Sequence, residues 1–210
     1  MNTTDIAATL KTLEELFPFE EGEVERLQRR KWILRYAQLR GRTVGVEIGV
    51  FRGHFSEIIC QILNPRRLYL VDPWTLLGER FGWGDLAYTS HDRLTTAHAK
   101  QEALTRCAQF PDVETVAIET YFPVGCEAID QPLDWAYVDA DHRYAPTFGY
   151  LRALDPLMAS GGVILGDDWH PDPEHVHHGV FRAVQAFTRA TNWQLIAAGP
   201  GAQWAIRRFA

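Results

Sequence analysis

The sequence predicts an α/β fold built on a mostly parallel sheet, with helices on both faces and an antiparallel hairpin at its end. Three observations carry this expectation. Between residues 43 and 167, five short β-branched runs alternate with helical segments, the pattern of strand–helix–strand crossovers. The runs are almost continuously apolar, as strands covered on both faces are. Two further strand-like runs near the C-terminus are joined by Gly199, Pro200 and Gly201, which reads as an antiparallel hairpin and brings the expected sheet to seven strands.

Residues 6–40 come first and read as helical, with Leu10, Leu13, Leu16 and Phe17 spaced to line one face. Pro18 separates them from a second helix beginning near Glu21. That helix is acidic early, at Glu20, Glu21, Glu23 and Glu25, and basic late, at Arg26, Arg29, Arg30, Lys31, Arg35 and Arg40. This order suits the helix dipole, and the basic run reads as a solvated helix face. The expected organisation is a helical extension over residues 1–42, ending at Arg42, and a catalytic-type α/β domain over residues 43–210.

The strands follow as TVGVEI (43–48), RLYLVD (Arg67–Asp72), VETVAI (113–118), DWAYVD (134–139), GVILGD (162–167), WQLIAA (193–198) and QWAIRRF (203–209). The polar and basic tail of the last run places it at or near a sheet edge. Helices are expected over 54–63, 94–110, 124–129, 146–157 and 176–191. Neither an internal repeat nor a low-complexity tract interrupts the pattern.

Composition narrows the function. The chain of 210 residues is 46% hydrophobic and carries a formal charge of −6, so it lacks the basic field that nucleic-acid binding requires. Its N-terminal residues have no signal-peptide pattern, and no run approaches the roughly 18 apolar residues of a membrane span. Cys60, Cys107 and Cys126 form an odd set without CxxC spacing, expected as reduced thiols in a cytoplasmic protein. A small-molecule partner is expected, with no nucleic acid and no membrane; self-association is left open.

Ligands of open parallel sheets bind beyond the C-terminal strand ends, and here those ends are polar. The first strand ends in Glu47-Ile-Gly49-Val-Phe51-Arg-Gly53, whose glycines permit a tight turn toward a helix N-terminus. Asp72 ends the second strand, nineteen residues after Gly53, where a carboxylate can accept hydrogen bonds from ribose hydroxyls. Asp139-Ala-Asp141-His142 follows the fourth strand and Asp167-Asp168-Trp169 the fifth. Adjacent strand ends lie about 5 Å apart, so Asp139 can meet Asp167 and Asp168, and such crowding calls for a cation. An all-oxygen donor set favours Mg²⁺ over zinc. His170, His175, His177 and His178 form a loop over this cleft, but their spacing matches no standard zinc pair; His170 reads as a substrate contact or auxiliary base. Residues 75–92, rich in glycine and aromatics, read equally as a lid or acceptor wall or as an ordinary surface loop.

The order ExGxxxG, VDPW, VDADHRY and GGVILGDDW resembles the Rossmann-like class I S-adenosylmethionine-dependent methyltransferases. More narrowly it is similar to the metal-dependent O-methyltransferases that act on macrolide and aminocoumarin sugars. The resemblance implies that Glu47, Gly49, Phe51 and Gly53 line the amino-acid end of the cofactor, with Asp72 on its ribose and Trp74 near adenine. It further implies Asp139, Asp167 and Asp168 as Mg²⁺ ligands, with Asp141 or adjacent His142 as the base for a hydroxyl acceptor of sugar or catechol type. Phe51 replaces the middle glycine of the broad motif, and Glu119-Thr120 stands where glycine and a small hydroxyl residue are usual. Two rival readings are an NAD-dependent oxidoreductase and a non-catalytic nucleoside-binding protein. The first finds no use for the DDW cluster; the second does not need three carboxylates.

Overall fold

A computed structural model describes residues 3–39, 41, 43–84 and 86–209. Arg40, which closed the expected helical extension, and Arg42, its expected boundary, lie outside the described residues. So do Met1 and Asn2 of the segment read for a leader, and Asp85 of the expected lid.

The seven strands form one sheet in the order β3-β2-β1-β4-β5-β7-β6. They are β1 (Val44–Ile48), β2 (Arg67–Asp72), β3 (Glu114–Glu119), β4 (Leu133–Val138), β5 (Met158–Gly166), β6 (Trp193–Gly199) and β7 (Gln203–Arg208). The first five run parallel, and β7 pairs antiparallel with both β5 and β6. The terminal hairpin therefore forms as expected, with β6 at the edge and the last strand one place inside it. Reversal of strand order between β1 and β4 opens a crevice at the C-terminal strand ends.

Alternation along the strands divides the core in two. Leu68, Leu70, Trp135, Tyr137, Val163 and Leu165 face α3 (His54–Leu63) and α4 (Thr96–Cys107). Tyr69, Val71, Ala136, Val138 and Ile164 face α5 (Tyr144–Leu154) and α6 (His178–Ala190). The expected helix at 124–129 is reduced to a 3₁₀ turn, Cys126–Ala128, since Gly125 in a left-handed conformation interrupts a segment too short to propagate. Cys60, Cys107 and Cys126 are free thiols, the third of them only partly buried. No helix among the described residues is long and apolar enough to cross a membrane.

The N-terminal helices α1 (Thr3–Leu16) and α2 (Glu21–Arg30) share the first of these cores rather than forming a separate body. On α1 the buried stripe is Ile6, Leu10 and Leu13, continued by Phe17; Leu16, expected on that stripe, is 52% exposed. Spacing of 4-3-4 keeps the stripe on one helical face, and Leu16 falls off it. Arg52, fully enclosed, donates to the Phe17 carbonyl and through Nε to Glu102 Oε2 at 2.7 Å. Arg106 joins Glu102 of α4 to Glu57 of α3 and Glu14 of α1. Glu102→Gln leaves both guanidiniums short of a buried counter-charge and should cost about 3–5 kcal/mol of stability in urea unfolding. A midpoint and slope equal to the parent's would show that the network holds nothing together.

Candidate active site

The crevice begins at Gly49, whose φ is +86° and whose absent Cβ would stand 2.0 Å from the Asp139 carbonyl oxygen. Only glycine permits β1 and β4 to feed adjacent loops so closely. After it the chain is clamped by Asp72. Its Oδ2 accepts from the backbone N–H groups of Val50 and Phe51 at 2.8 and 2.9 Å, and its Oδ1 from Trp74 N–H at 2.8 Å. Burial nevertheless pushes the Asp72 carboxyl above its ordinary value, against these three donors. Asp72 thus sits where a ribose contact is expected while also fixing the glycine loop. Glu47, fully buried in β1, accepts from Ser56 Oγ, and burial drives its carboxyl well upward.

Phe51 adopts φ +54° and packs its ring against Phe81, Trp83 and Tyr88 at 5.0, 5.4 and 5.9 Å. The 75–92 segment therefore builds an aromatic wall beside the loop. Trp74, expected near adenine, is fully enclosed, with Nε1 donating to the Phe51 carbonyl at 2.8 Å. Glu119 is engaged by Lys100 at 2.6 Å and by Thr75.

Across the crevice, Asp139, Asp167 and Asp168 bring carboxylate oxygens within 4.8 Å of one another, as the strand ends imply. The cation among them is Arg30, the last residue of α2. Its Nη1 lies 2.6 Å from Asp139 Oδ2 and its Nη2 pairs with Asp167 Oδ2. Burial would lower the guanidinium pKa, but Asp139 and Asp167 outweigh it and hold Arg30 charged. Asp167 Oδ1 accepts from Gln203 Nε2 at 2.5 Å, and Gln203 is itself fixed by the Tyr137 hydroxyl at 2.8 Å. Burial and the Asp139 charge push the Asp167 carboxyl up, against the pull of Arg30.

Asp168, at φ +63°, turns its carboxylate the other way. Oδ2 lies 2.6 Å from His142 Nδ1, and Oδ1 lies 2.9 Å from His177 Nδ1 and 3.8 Å from His170 Nε2. Although burial opposes it, the hydrogen bonds and charges of His142 and His177 hold this carboxyl well below the usual range. Desolvation pulls His142 down, but Asp168 outweighs it and raises its pKa. Asp141 does not join Asp139: it forms a bidentate pair with Arg143, which holds its carboxyl low.

Sequence reasoning missed Arg30, His177 and Gln203 of this site, the last read only as the start of the terminal strand. The basic run places Arg30 on a solvated face, yet it falls three residues after Leu27 and three and four before Ile33 and Leu34, on the apolar stripe. That spacing is the signal that marks it. His177 lay within the histidine loop, but nothing in its spacing singled it out to face Asp168.

A family model described as a methyltransferase domain matches residues 46–169. No curated protein matches the sequence. Among solved structures, the chain resembles the O-methyltransferase TomG of Streptomyces achromogenes, involved in tomaymycin synthesis and bound to S-adenosylmethionine. Identity is 17% over 100% of this chain and 92% of that one, with a TM-score of 0.58. A Bacillus cereus O-methyltransferase in complex with S-adenosylhomocysteine aligns at 13% identity over 99% of this chain and 92% of that one, with a TM-score of 0.54. At these identities the likeness is one of fold.

Because Asp72 satisfies three backbone donors, Asp72→Ala should destabilise the ligand-free protein by at least about 2 kcal/mol in urea unfolding. Unchanged stability would show that the loop keeps its form without the carboxylate.

Proposed function

Since the chain belongs to the methyltransferase-domain family, whose model spans more than half of it, we propose that it is an S-adenosylmethionine-dependent O-methyltransferase acting on a hydroxyl of a small molecule of sugar or catechol type. The observation that carries this reading is the pairing of His142 with Asp168 beside the glycine loop at the sheet's reversal point. S-adenosylmethionine supplies the methyl group as a sulfonium, whose positive charge suits a crevice bordered by Asp72 and Asp139. A hydride-transfer reading explains neither the family match nor the His–Asp pair.

Methyl transfer is an in-line displacement: the acceptor oxygen bonds to the methyl carbon as the carbon–sulfur bond breaks. The protein's share is orientation and removal of one proton. With Nδ1–H assigned by the hydrogen-bond network as the donor to Asp168, the lone pair of His142 Nε2 is free to take the hydroxyl proton. Asp168 then stabilises the imidazolium that forms. Asp141 is the weaker base of the two, because Arg143 occupies both its oxygens; its part is to hold the loop that carries His142. Glu47, Gly49, Phe51 and Gly53 line the cofactor loop, with Asp72 at the ribose. Trp74 supports that loop from beneath, through its bond to the Phe51 carbonyl.

Asp139, Asp167 and Asp168 are the hard-oxygen donors that would hold Mg²⁺, with Arg30 paired to the first two and His142 and His177 engaging the third in this structure. Bound there, the ion would polarise an acceptor oxygen and lower its pKa. The free cysteines support a cytoplasmic setting.

Titration calorimetry should show S-adenosylmethionine binding to the parent and, within a few-fold, to His142→Gln. In single-turnover assays against a panel of sugar and catechol acceptors, His142→Gln should lower the rate by about 10² to 10⁴. A parent that binds no S-adenosylmethionine would overturn the reading, and a His142→Gln variant at full rate would remove His142 as the base. Chelation of divalent ions should lower the parent's rate, with Mg²⁺ restoring it better than Zn²⁺; full activity after exhaustive chelation would remove the ion from the chemistry.

A further inference from the structure

Arg30 stands where the proposed Mg²⁺ would stand. Five of the six oxygens of Asp139, Asp167 and Asp168 already have donors: two face Arg30, one Gln203, one His142 and one His177. Among the described residues, only Oδ1 of Asp139 has no bond of this kind. Arg30 is itself only 3% exposed, and among the described residues its buried Nε–H has no partner. A guanidinium left one bond short is a ligand that another cation can displace more readily than a fully satisfied one.

The helix behind it is lightly held. Among the described side chains of α2, Leu27 and Arg30 are buried and the rest are exposed or half-buried. The next turn, Lys31–Ala37, is anchored quite differently. Ile33 and Leu34 are fully enclosed, and Trp32 Nε1 donates to the Pro200 carbonyl at 2.8 Å. Loss of the Arg30 contacts would leave α2 held through Leu27 and the close approach of Arg29 to Gly201, while the turn after it stayed in place.

We propose that Arg30 and a divalent cation are alternative occupants of the Asp139–Asp167 pair, so that loading the cation releases helix α2 from the mouth of the site. The inference rests on the reading of these carboxylates as a cation site. Both occupants need the same lone pairs, and their positive charges repel at such separations. By linkage, whatever favours the cation opposes the docked form of α2 by the same factor, and the reverse.

Manganese(II), added by calorimetric titration to the full chain after EDTA treatment and dialysis, provides the test. Arg30→Gln should bind Mn²⁺ about tenfold tighter than the parent or more, and Arg30→Lys, which keeps a charge but loses the two-pronged contact, should fall between them. In the parent, Mn²⁺ should speed amide exchange across Glu21–Arg30 while leaving Lys31–Ala37 unchanged, a readout that needs no variant. Equal or weaker Mn²⁺ binding by Arg30→Gln, α2 exchange unaltered by bound Mn²⁺, or no Mn²⁺ binding by any form would each overturn the proposal. S-adenosylhomocysteine titrated into the same preparations separates the two readings: its failure to bind would sink methyl transfer and leave the cation result standing.

Discussion

Three carboxylates crowded at two adjacent strand ends set the terms for the rest of this molecule. Parallel pairing of β4 with β5 puts Asp139 beside Asp167 and Asp168, and like charges so close must be compensated or protonated. Each compensating group comes from a different part of the chain. Arg30 arrives from the N-terminal helices, Gln203 from the terminal hairpin, and His142 and His177 from the loops after β4 and β5. The helical extension shares the sheet's core and so can deliver its cation, and β7 lies beside β5 where Gln203 reaches Asp167.

The same geometry divides the labour of the acids. Asp167, buried and facing Arg30, is pushed toward protonation, whereas Asp168 turns away through a left-handed backbone and is held ionised by two imidazoles. Neighbouring residues thereby come to serve opposite purposes, one in a cation cluster and one behind a histidine. On the other side of the crevice, Asp72 shows a similar economy. One carboxylate closes the glycine loop through three backbone donors, so the loop takes its form before any ligand arrives.

Most of the fold was legible because strand and helix periodicities leave different marks. The β-branched runs around residues 43–48, 67–72 and 134–139 locate β1, β2 and β4 within a residue or so, and the Gly-Pro-Gly turn locates the hairpin. Asp139, Asp167 and Asp168 could be brought together on paper because strand ends in a parallel sheet are adjacent whatever the side chains. Their partner could not be found this way. Charge counting assigned Arg30 to solvent along with its basic neighbours, while its place on the Leu27–Ile33 stripe put it inside. Leu16 shows the converse, an apolar residue one position off the stripe and out in water. Trp74 follows Asp72 as a cofactor wall would, but its indole satisfies its N–H inside the protein, a choice that depends on the fold around it.

A double-mutant cycle on Arg30→Met and Asp139→Asn, read by urea unfolding in metal-free buffer, tests most directly whether internal charge compensation organises this site. If the guanidinium neutralises the cluster, the two substitutions should be non-additive, with a coupling energy of about 1–3 kcal/mol favouring the native pair. Additive losses, with no coupling beyond about 0.5 kcal/mol, would contradict the account.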